Sequence, residues 1–414
     1  MKHKLEDVFG IRTEPVLSYV NREVVDGRFQ EGLASSHHII VYGSSKQGKT
    51  ALRQTHLPDK DCLIVRCSPT MNPESIYMSI VRQLDLRMTT METKKEGATG
   101  KVSTKIGFKA MLPFIGSGKS EVAAEVAGTT GRETTSEFVA YDYGEAQSIG
   151  ELLTRVKFKK KIVLENFHYL HQDVQRQLAF DLKTFHEIGI TFVILGIWRE
   201  ADLLITYNHD LQDRLIDVPV EPWEAVDFDR LIAEGSDRLK VKIDMGIREI
   251  FRANAYGNVG MLQEFLKTFC KLSGVTETGA ERVLDSAEIA KRTVEHRLKN
   301  QRAQLVKDLQ RISAQSRIRG DEPDPLLLPY YLVQVILGLK IEELENGIER
   351  KRLLELLRSI HHRVDKETIR GSDLVYLLQR LPIYQRDMQP PFVYYDSNNQ
   401  RLKIVDTRQF FGLS

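Results

Sequence analysis

Hydrophobic patterning changes character along the chain. Short continuous apolar runs come first: His38-Ile39-Ile40-Val41-Tyr42, Cys62-Leu63-Ile64-Val65-Arg66-Cys67, Lys161-Ile162-Val163-Leu164-Glu165 and Ile190-Thr191-Phe192-Val193-Ile194-Leu195. Runs of that length bounded by polar residues predict buried strands. Helix-period segments lie around them. One approaches the first strand over 16–34. Another covers Pro73–Leu86, where Asn72 can cap and Pro73 suits the first turn. A third covers Asp173–Ile188, with Val174, Leu178, Phe180, Leu182 and Phe185 on or near one face. Strands of this kind separated by helices predict a parallel sheet covered on both sides, an α/β core.

Two departures from this alternation divide the chain. Residues 92–147 are rich in Gly, Thr, Ser and Lys, and alternate over Val102–Phe108, which predicts two irregular strands joined by Leu112–Gly118. From Pro222 onward the period is helical, with helices over Ile247–Ala255, Gly260–Leu272 and roughly 285–313. GDEPDP at 320–325 marks a linker. Three more helical patterns follow, Leu326–Leu337, Arg350–His361 and Gly371–Leu381. Phe392–Tyr395, the turn Asp396–Asn399 and Leu402–Val405 close the chain as strand, turn and strand. That order predicts a winged helix-turn-helix. The expected domains are an α/β core at 1–221 carrying the 92–147 insertion, a helical lid and connecting helices at 222–320, and a winged-helix-like domain at 321–414.

Chemistry enters directly after the first strand. Residues 43–50 read Gly43-Ser44-Ser45-Lys46-Gln47-Gly48-Lys49-Thr50, the G-x-x-x-x-G-K-[ST] pattern, and Lys49, Thr50 and Ala51 open a helix. The glycines let the backbone approach a polyphosphate, and the helix N-terminus adds partial positive charge. Lys49 would reach the β- and γ-phosphates, and the Thr50 hydroxyl would hold Mg²⁺. Strand, loop and helix agree, so a nucleoside triphosphate is the expected ligand. GSGKS at 116–120 imitates this motif, but Pro113 stands where the first glycine is needed. An acid on a neighbouring strand must organise Mg²⁺ through water, and Glu165 is the candidate. The next residue, Asn166, cannot take a proton at neutral pH, so general-base help is absent there. Two readings stay open: hydrolysis is naturally slow, or a native acid was replaced to trap nucleotide.

Composition narrows the partners. With 414 residues, two or three domains are expected, and 42% hydrophobic with 28% charged residues is ordinary for a globular chain. A net charge of +2 requires any nucleic-acid contact to come from a local patch. No apolar run approaches the roughly 18 residues that span a bilayer, and MKHKLEDVFG lacks a signal-peptide core. Cys62, Cys67 and Cys270 form no C-x-x-C pair. They read as reduced thiols in a cytoplasmic protein, without a cysteine metal site.

GSSKQGKT, IVLENFHYL, FVILGIW and the helical region after Pro222 together resemble an AAA+ P-loop ATPase. The nearest branches are the origin-recognition-like and STAND-type ones, including bacterial ATPases of mobile-element and phage-defence settings. The resemblance covers about residues 10–275 well and the C-terminal region loosely. It implies ATP with Mg²⁺, Lys49 and Thr50 as the Walker A pair, and Glu165 as the Walker B acid. It also implies Arg214 as an arginine finger toward a neighbouring copy, hence a homo-oligomer. The alternative for Arg214 is an ion pair with Asp213 or Asp217. The sequence departs at sensor 1, where Gly196, Ile197 and Trp198 offer no polar side chain and Arg199 is the nearest substitute. It departs again at sensor 2, where Gly257–Gly260 replaces the usual arginine. The expected function is an oligomerising ATP switch with slow hydrolysis that recruits a protein effector. The alternative is an ATP-controlled regulator on duplex DNA, such as a transposition target selector. In that case Gly371–Leu381 faces the groove, and Arg363, Lys366, Arg370, Arg380, Arg386, Arg401 and Lys403 meet phosphates. Tyr19 and Arg22 are candidate base contacts, with packing as the other reading, and 290–319 is a second basic stretch.

Overall fold

The computed structural model describes residues 2–12, 14–84, 86–96, 102–113, 136–197, 200–316, 325–386, 388, 391–396, 399–406 and 408–413. These form two compact units, one of Val24–Tyr42 and Arg53–Pro219, the other of Met1–Glu23, Gly43–Leu52 and Val220–Ser414. The first contains five parallel strands: β1 (His38–Tyr42), β2 (Cys62–Arg66), β3 (Lys161–Glu165), β4 (Phe192–Leu195) and β5 (Leu215–Pro219). Their order in the sheet is β2-β3-β4-β1-β5. On one face of the sheet, helices Pro73–Arg82, Ala146–Arg155 and Gln172–Glu187 supply Ile76, Ile80, Ile149, Leu178 and Phe185 to the same core as Ile40, Val65, Leu164 and Ile194; the alternate residues Ile39, Val41, Val163 and Val193 are buried as well. The α/β parallel-sheet fold expected of a P-loop protein is therefore the one observed.

Local chemistry fixes the helix boundaries. Asn72 accepts from the Ser75 N–H and Ser75 Oγ accepts from the Asn72 N–H, each at 2.9 Å, with Pro73 in the first turn. That helix ends at Arg82, short of the expected Leu86. In Gln172–Glu187 the expected apolar face needs one correction. Phe180 is 52% exposed, while Asp181 turns inward to accept from Tyr77 and Gln177. Two residues beyond Leu178, Phe180 falls on the opposite side of a 3.6-residue turn.

The irregular stretch forms three antiparallel strands, Arg87–Glu96, Val102–Pro113 and Ser136–Asp142, in place of the expected two. The 116–120 imitation of the phosphate loop lies outside the described residues, as does most of the joining tip.

His38 opens β1 and is fully buried. Its Nδ1 accepts from the Phe192 N–H at 3.0 Å, so the Nε2–H donates to the Leu182 carbonyl at 2.9 Å. Both nitrogens are committed to the neutral ring. Burial, reinforced by His186, Lys161 and His37, holds its pKa down at about 3 against the opposing Leu182 bond. Between the ordinary value near 6.5 and that level, the unfolded chain binds a proton that the folded one does not. This contribution is complete above about pH 6.5, falls as the solution is acidified and levels off below about 3. Acidification from pH 7 to pH 5 is expected to cost about 2 kcal/mol through this residue. Urea midpoints at the two pH values check it. His38→Gln is expected to lose that much less, and equal losses in both proteins contradict the assignment.

The second unit is mostly helical. Ala225–Leu239, Met245–Ala255 and Val259–Leu272 gather Phe228, Phe251, Phe265 and Phe269 into one core, which the N-terminal Leu5, Val8 and Phe9 complete. Gly235 is needed there, since a Cβ would stand 2.2 Å from the Phe9 ring. Helix Ala287–Ser313 feeds Ala290 to this core and Leu305, Leu309 and Ile312 to the next. That second core is closed by Leu328–Gly338, Arg350–Ile360 and Gly371–Tyr384, with Arg408–Leu413 at the end. Val393–Asp396 and Arg401–Ile404 pair antiparallel, and Ile348–Glu349 adds a third strand beside the latter. No helix among the described residues is long and apolar enough to cross a membrane.

Candidate functional site

The glycine loop belongs to the helical unit. Three of its residues have left-handed backbone: Gly43 (φ 150°), Lys46 (φ 62°) and Gly48 (φ 87°). Gly43 also has no room for a side chain, because a Cβ would meet Val220 Cγ2 at 2.6 Å. The helix after the loop begins at Lys49 and runs to His56. Its first-turn N–H groups have no intrahelical partners, the condition for anion binding. The Lys49 ammonium folds back onto its own loop, donating to the carbonyls of Gly43 and Ser44 at 2.7 Å each. Thr50 is exposed beside it.

Side chains from the segment Val220–Trp223 and from Gly257–Gly260 hold the loop in shape. The Glu221 carboxylate accepts from the Ser44 N–H at 2.8 Å and from Gln47 Nε2 at 2.5 Å. Gln47 donates also to the Gly257 carbonyl and accepts from the Val259 N–H, both at 3.1 Å. Asn258 caps the helix Val259–Leu272 through the Met261 N–H and donates to the Ser45 carbonyl. Trp223 donates to the Gln47 carbonyl at 3.4 Å, and Arg22 lies over its ring at 3.9 Å. Arg22 is thus packed against Trp223 and bound to the Val220 carbonyl at 2.9 Å. Gly260 cannot carry a side chain, for a Cβ would sit 2.6 Å from Lys46 Cβ and 2.8 Å from its carbonyl. Close packing on the loop thus gives glycine a steric reason at this end of the sensor-2 segment. Partial burial, then the nearby Arg408 and Arg297, push the Lys46 ammonium pKa down.

Glu165, in the α/β unit, ends β3. Two arginines hold its carboxylate: Arg53 Nη2 at 3.1 Å from Oε1 and Arg66 Nε at 3.3 Å from Oε2. Arg53 also pairs with Asp59 and donates to the Leu57 carbonyl at 3.3 Å, and its side chain is only 1% exposed. Sequence reasoning singled out neither arginine. The available signal was Arg53 one turn beyond Thr50 in the helix Lys49–His56, on a side that must face the sheet. Asn166 follows in left-handed conformation (φ 60°, ψ 37°) and is exposed, a backbone state that asparagine tolerates better than most residues.

Arg214 donates to the Asp210 carbonyl and lies 3.7 Å from Glu187. Its carboxylate partner is therefore Glu187, not Asp213 or Asp217. Asp217 is engaged by Arg28 at 2.5 Å and by Tyr42. At the sensor-1 position, Gly196 continues the ladder to the Val41 carbonyl and Ile197 is buried. Trp198 and Arg199 lie outside the described residues.

No protein-family model matches the chain, and no curated protein matches it in sequence. Solved structures do resemble it. The Walker-type ATPase PABY2304 of Pyrococcus abyssi aligns over 95% of this chain and 96% of its own, at 14% identity and TM-score 0.46. The Orc1 protein of Aeropyrum pernix, solved in complex with DNA, aligns over 100% and 96% at 12% identity and TM-score 0.43. Cdc6p of Pyrobaculum aerophilum aligns over 96% and 94% at 13% identity and TM-score 0.39.

Proposed function

We propose that the chain is an ATP-binding AAA+ switch whose hydrolysis is slow. The observation that carries the reading is the loop Gly43–Thr50, with left-handed backbone at Gly43, Lys46 and Gly48 and a helix N-terminus at Lys49. A triphosphate fits that chemistry: N–H donors, a lysine and an exposed hydroxyl converge within eight residues. On binding, Lys49 would exchange the carbonyls of Gly43 and Ser44 for phosphate oxygens, and Ser45, Gln47 and Ala51 would line the same turn. Thr50 would hold Mg²⁺, which supplies charge neutralisation between β- and γ-phosphates when bound. Glu165 keeps its proposed role as the magnesium acid, acting from within the Arg53–Arg66 clamp.

Slow turnover is supported by that clamp and by the carboxamide of Asn166. The bonds that tie Ser44, Ser45 and Gln47 to Glu221, Gly257, Asn258 and Val259 support a switch. Occupancy of the loop would be felt at Trp223 and at the Gly257–Gly260 segment. The helix–helix–strand–helix–helix–strand–strand order of 328–404 supports a winged helix, and a protein effector remains the proposed recipient of the signal. Self-association is part of the proposal. Because Arg214 is tied to Asp210 and Glu187, it would have to leave both to act on another copy.

Titration of a fluorescent ATP analogue with Mg²⁺ tests the reading. Charge-assisted bonds contribute about 1.5–3 kcal/mol each, so Lys49→Ala is expected to weaken binding by about 10- to 150-fold. Trp223 emission should respond in the wild type. Equal affinity in the two proteins refutes the site. Light scattering with and without ATP reports the accompanying assembly, and an unchanged mass would remove self-association from the proposal.

A further inference from the structure

One side chain of the helical unit packs on two cores at once. Tyr256 lies against the core of Phe228, Phe251, Phe265 and Phe269 and also against that of Leu309, Ile312, Leu332 and Leu353. Among the described residues no other apolar side chain does so. Helix Ala287–Ser313 serves both cores as well, but through different residues, Ala290 in one and Leu305, Leu309 and Ile312 in the other. The backbone at Tyr256 is also unusual. It ends helix Met245–Ala255 in left-handed conformation (φ 47°, ψ 47°). Glycine or asparagine is the ordinary residue there, and a bulky side chain is strained. Such strain persists only where the surroundings impose it, and packing on both cores supplies that constraint.

The residues that follow grip the glycine loop. Gln47, 1% exposed, donates to the Gly257 carbonyl and accepts from the Val259 N–H. Asn258 is fully buried and donates to the Ser45 carbonyl at 3.2 Å. Gly260 lies so close to Lys46 that no side chain fits between them. Gln47 directly precedes Gly48 and Lys49. A shift of the loop must therefore carry 257–259 with it or leave buried donors and acceptors without partners, which is costly. Tyr256 in turn cannot move without repacking two close-packed interiors. Five consecutive residues, 256–260, thus join the loop to the C-terminal core, all within the helical unit.

We propose that Tyr256 couples nucleotide occupancy of the loop Gly43–Thr50 to the packing of the C-terminal core. The proposal rests on the nucleotide reading of that loop and adds where its signal goes. A triphosphate that draws Lys49 off the carbonyls of Gly43 and Ser44 reshapes the loop. Gln47 passes the change to Gly257, and the ring of Tyr256 delivers it to the core shared by Leu328–Gly338, Arg350–Ile360 and Gly371–Tyr384. Such coupling is reciprocal, so a partner that rearranges this core would alter nucleotide affinity by the same factor.

Amide hydrogen exchange of the full chain tests the proposal, with and without a non-hydrolysable ATP analogue and Mg²⁺. Wild type is compared with Tyr256→Phe, Tyr256→Gly and Tyr256→Asn, each saturated according to its own fluorescence titration. Glycine and asparagine keep the left-handed helix end and remove the ring. In wild type and Tyr256→Phe, nucleotide is expected to change exchange in the three C-terminal helices by about fivefold or more, the lower end of ordinary coupling between sites. In Tyr256→Gly and Tyr256→Asn that ratio should fall to one, while helix Val259–Leu272 still responds in all four proteins. The ratio is the decisive quantity, because a merely structural loss of packing would speed exchange equally with and without nucleotide. A wild type whose helix Val259–Leu272 responds and whose C-terminal helices do not overturns the proposal and leaves the nucleotide reading intact. A wild-type ratio retained in either ringless variant also overturns it. Absence of analogue binding in the titration refutes the nucleotide reading, and the coupling falls with it.

Discussion

Replacing Arg53 by alanine is expected to lower stability by about 3–4 kcal/mol, the largest loss foreseen for a single polar side chain here. Arg53 is 1% exposed and joins Asp59, the Leu57 carbonyl and Glu165. The three partners do not contribute equally. Asp59 is 61% exposed and recovers water when the guanidinium leaves. Glu165 is 12% exposed and would keep only Arg66, which is 69% exposed and so holds it through a screened contact. A nearly buried carboxylate deprived of its buried partner sets the energy scale, and the space left by the side chain adds a cavity cost. Urea unfolding of wild type, Arg53→Ala, Arg53→Lys and Arg53→Met separates these causes. Lysine retains the charge but not the fork that spans two carboxylates, so partial recovery is expected. Methionine restores volume and leaves Glu165 stranded, so it should remain well below wild type. If methionine equals wild type, the guanidinium contributes packing alone, and the electrostatic account of Glu165 is wrong.

That arginine also marks where reading the sequence ran out. The strands were legible because buried parallel strands need unbroken apolar runs, and Ile39–Val41 and Ile162–Leu164 have them. The loop was legible because its glycines satisfy a local backbone requirement, carried by φ at Gly43 and Gly48. The contacts around Glu165 and those around the glycine loop each join residues far apart in the chain. Arg53 meets Glu165 across 112 positions, and Gln47 meets Glu221 across 174. No periodicity encodes such pairs, because one polar residue on an amphipathic helix looks like a solvated one until its neighbours are known. Phe180 erred in the opposite direction. Its apolar character suggested an inward position, but helix phase gave that place to Asp181, for which Tyr77 supplies the compensating bond.

Asn166→Asp is expected to raise the rate of ATP hydrolysis by about 10²-fold or more, since a positioned general base contributes about 10²–10⁴. The backbone makes the substitution mild, because aspartate, like asparagine, tolerates φ near 60°, the value found here. The side chain is exposed, so a carboxylate would not be buried without a partner. Binding should change little, because the donors of Gly43–Thr50 proposed to meet phosphate are untouched. A higher kcat at constant affinity is therefore the expected signature. Steady-state phosphate release gives the first quantity, and the fluorescent-analogue titration the second. The Arg53–Arg66 clamp bears on the outcome. If Glu165 must leave the arginines before catalysis, Arg66→Ala should add to the effect of Asn166→Asp, for Arg66 is the exposed and dispensable half of the clamp. A rate left unchanged by both substitutions would mean that chemistry at this position does not limit turnover, and the chain would then act as a nucleotide-binding scaffold.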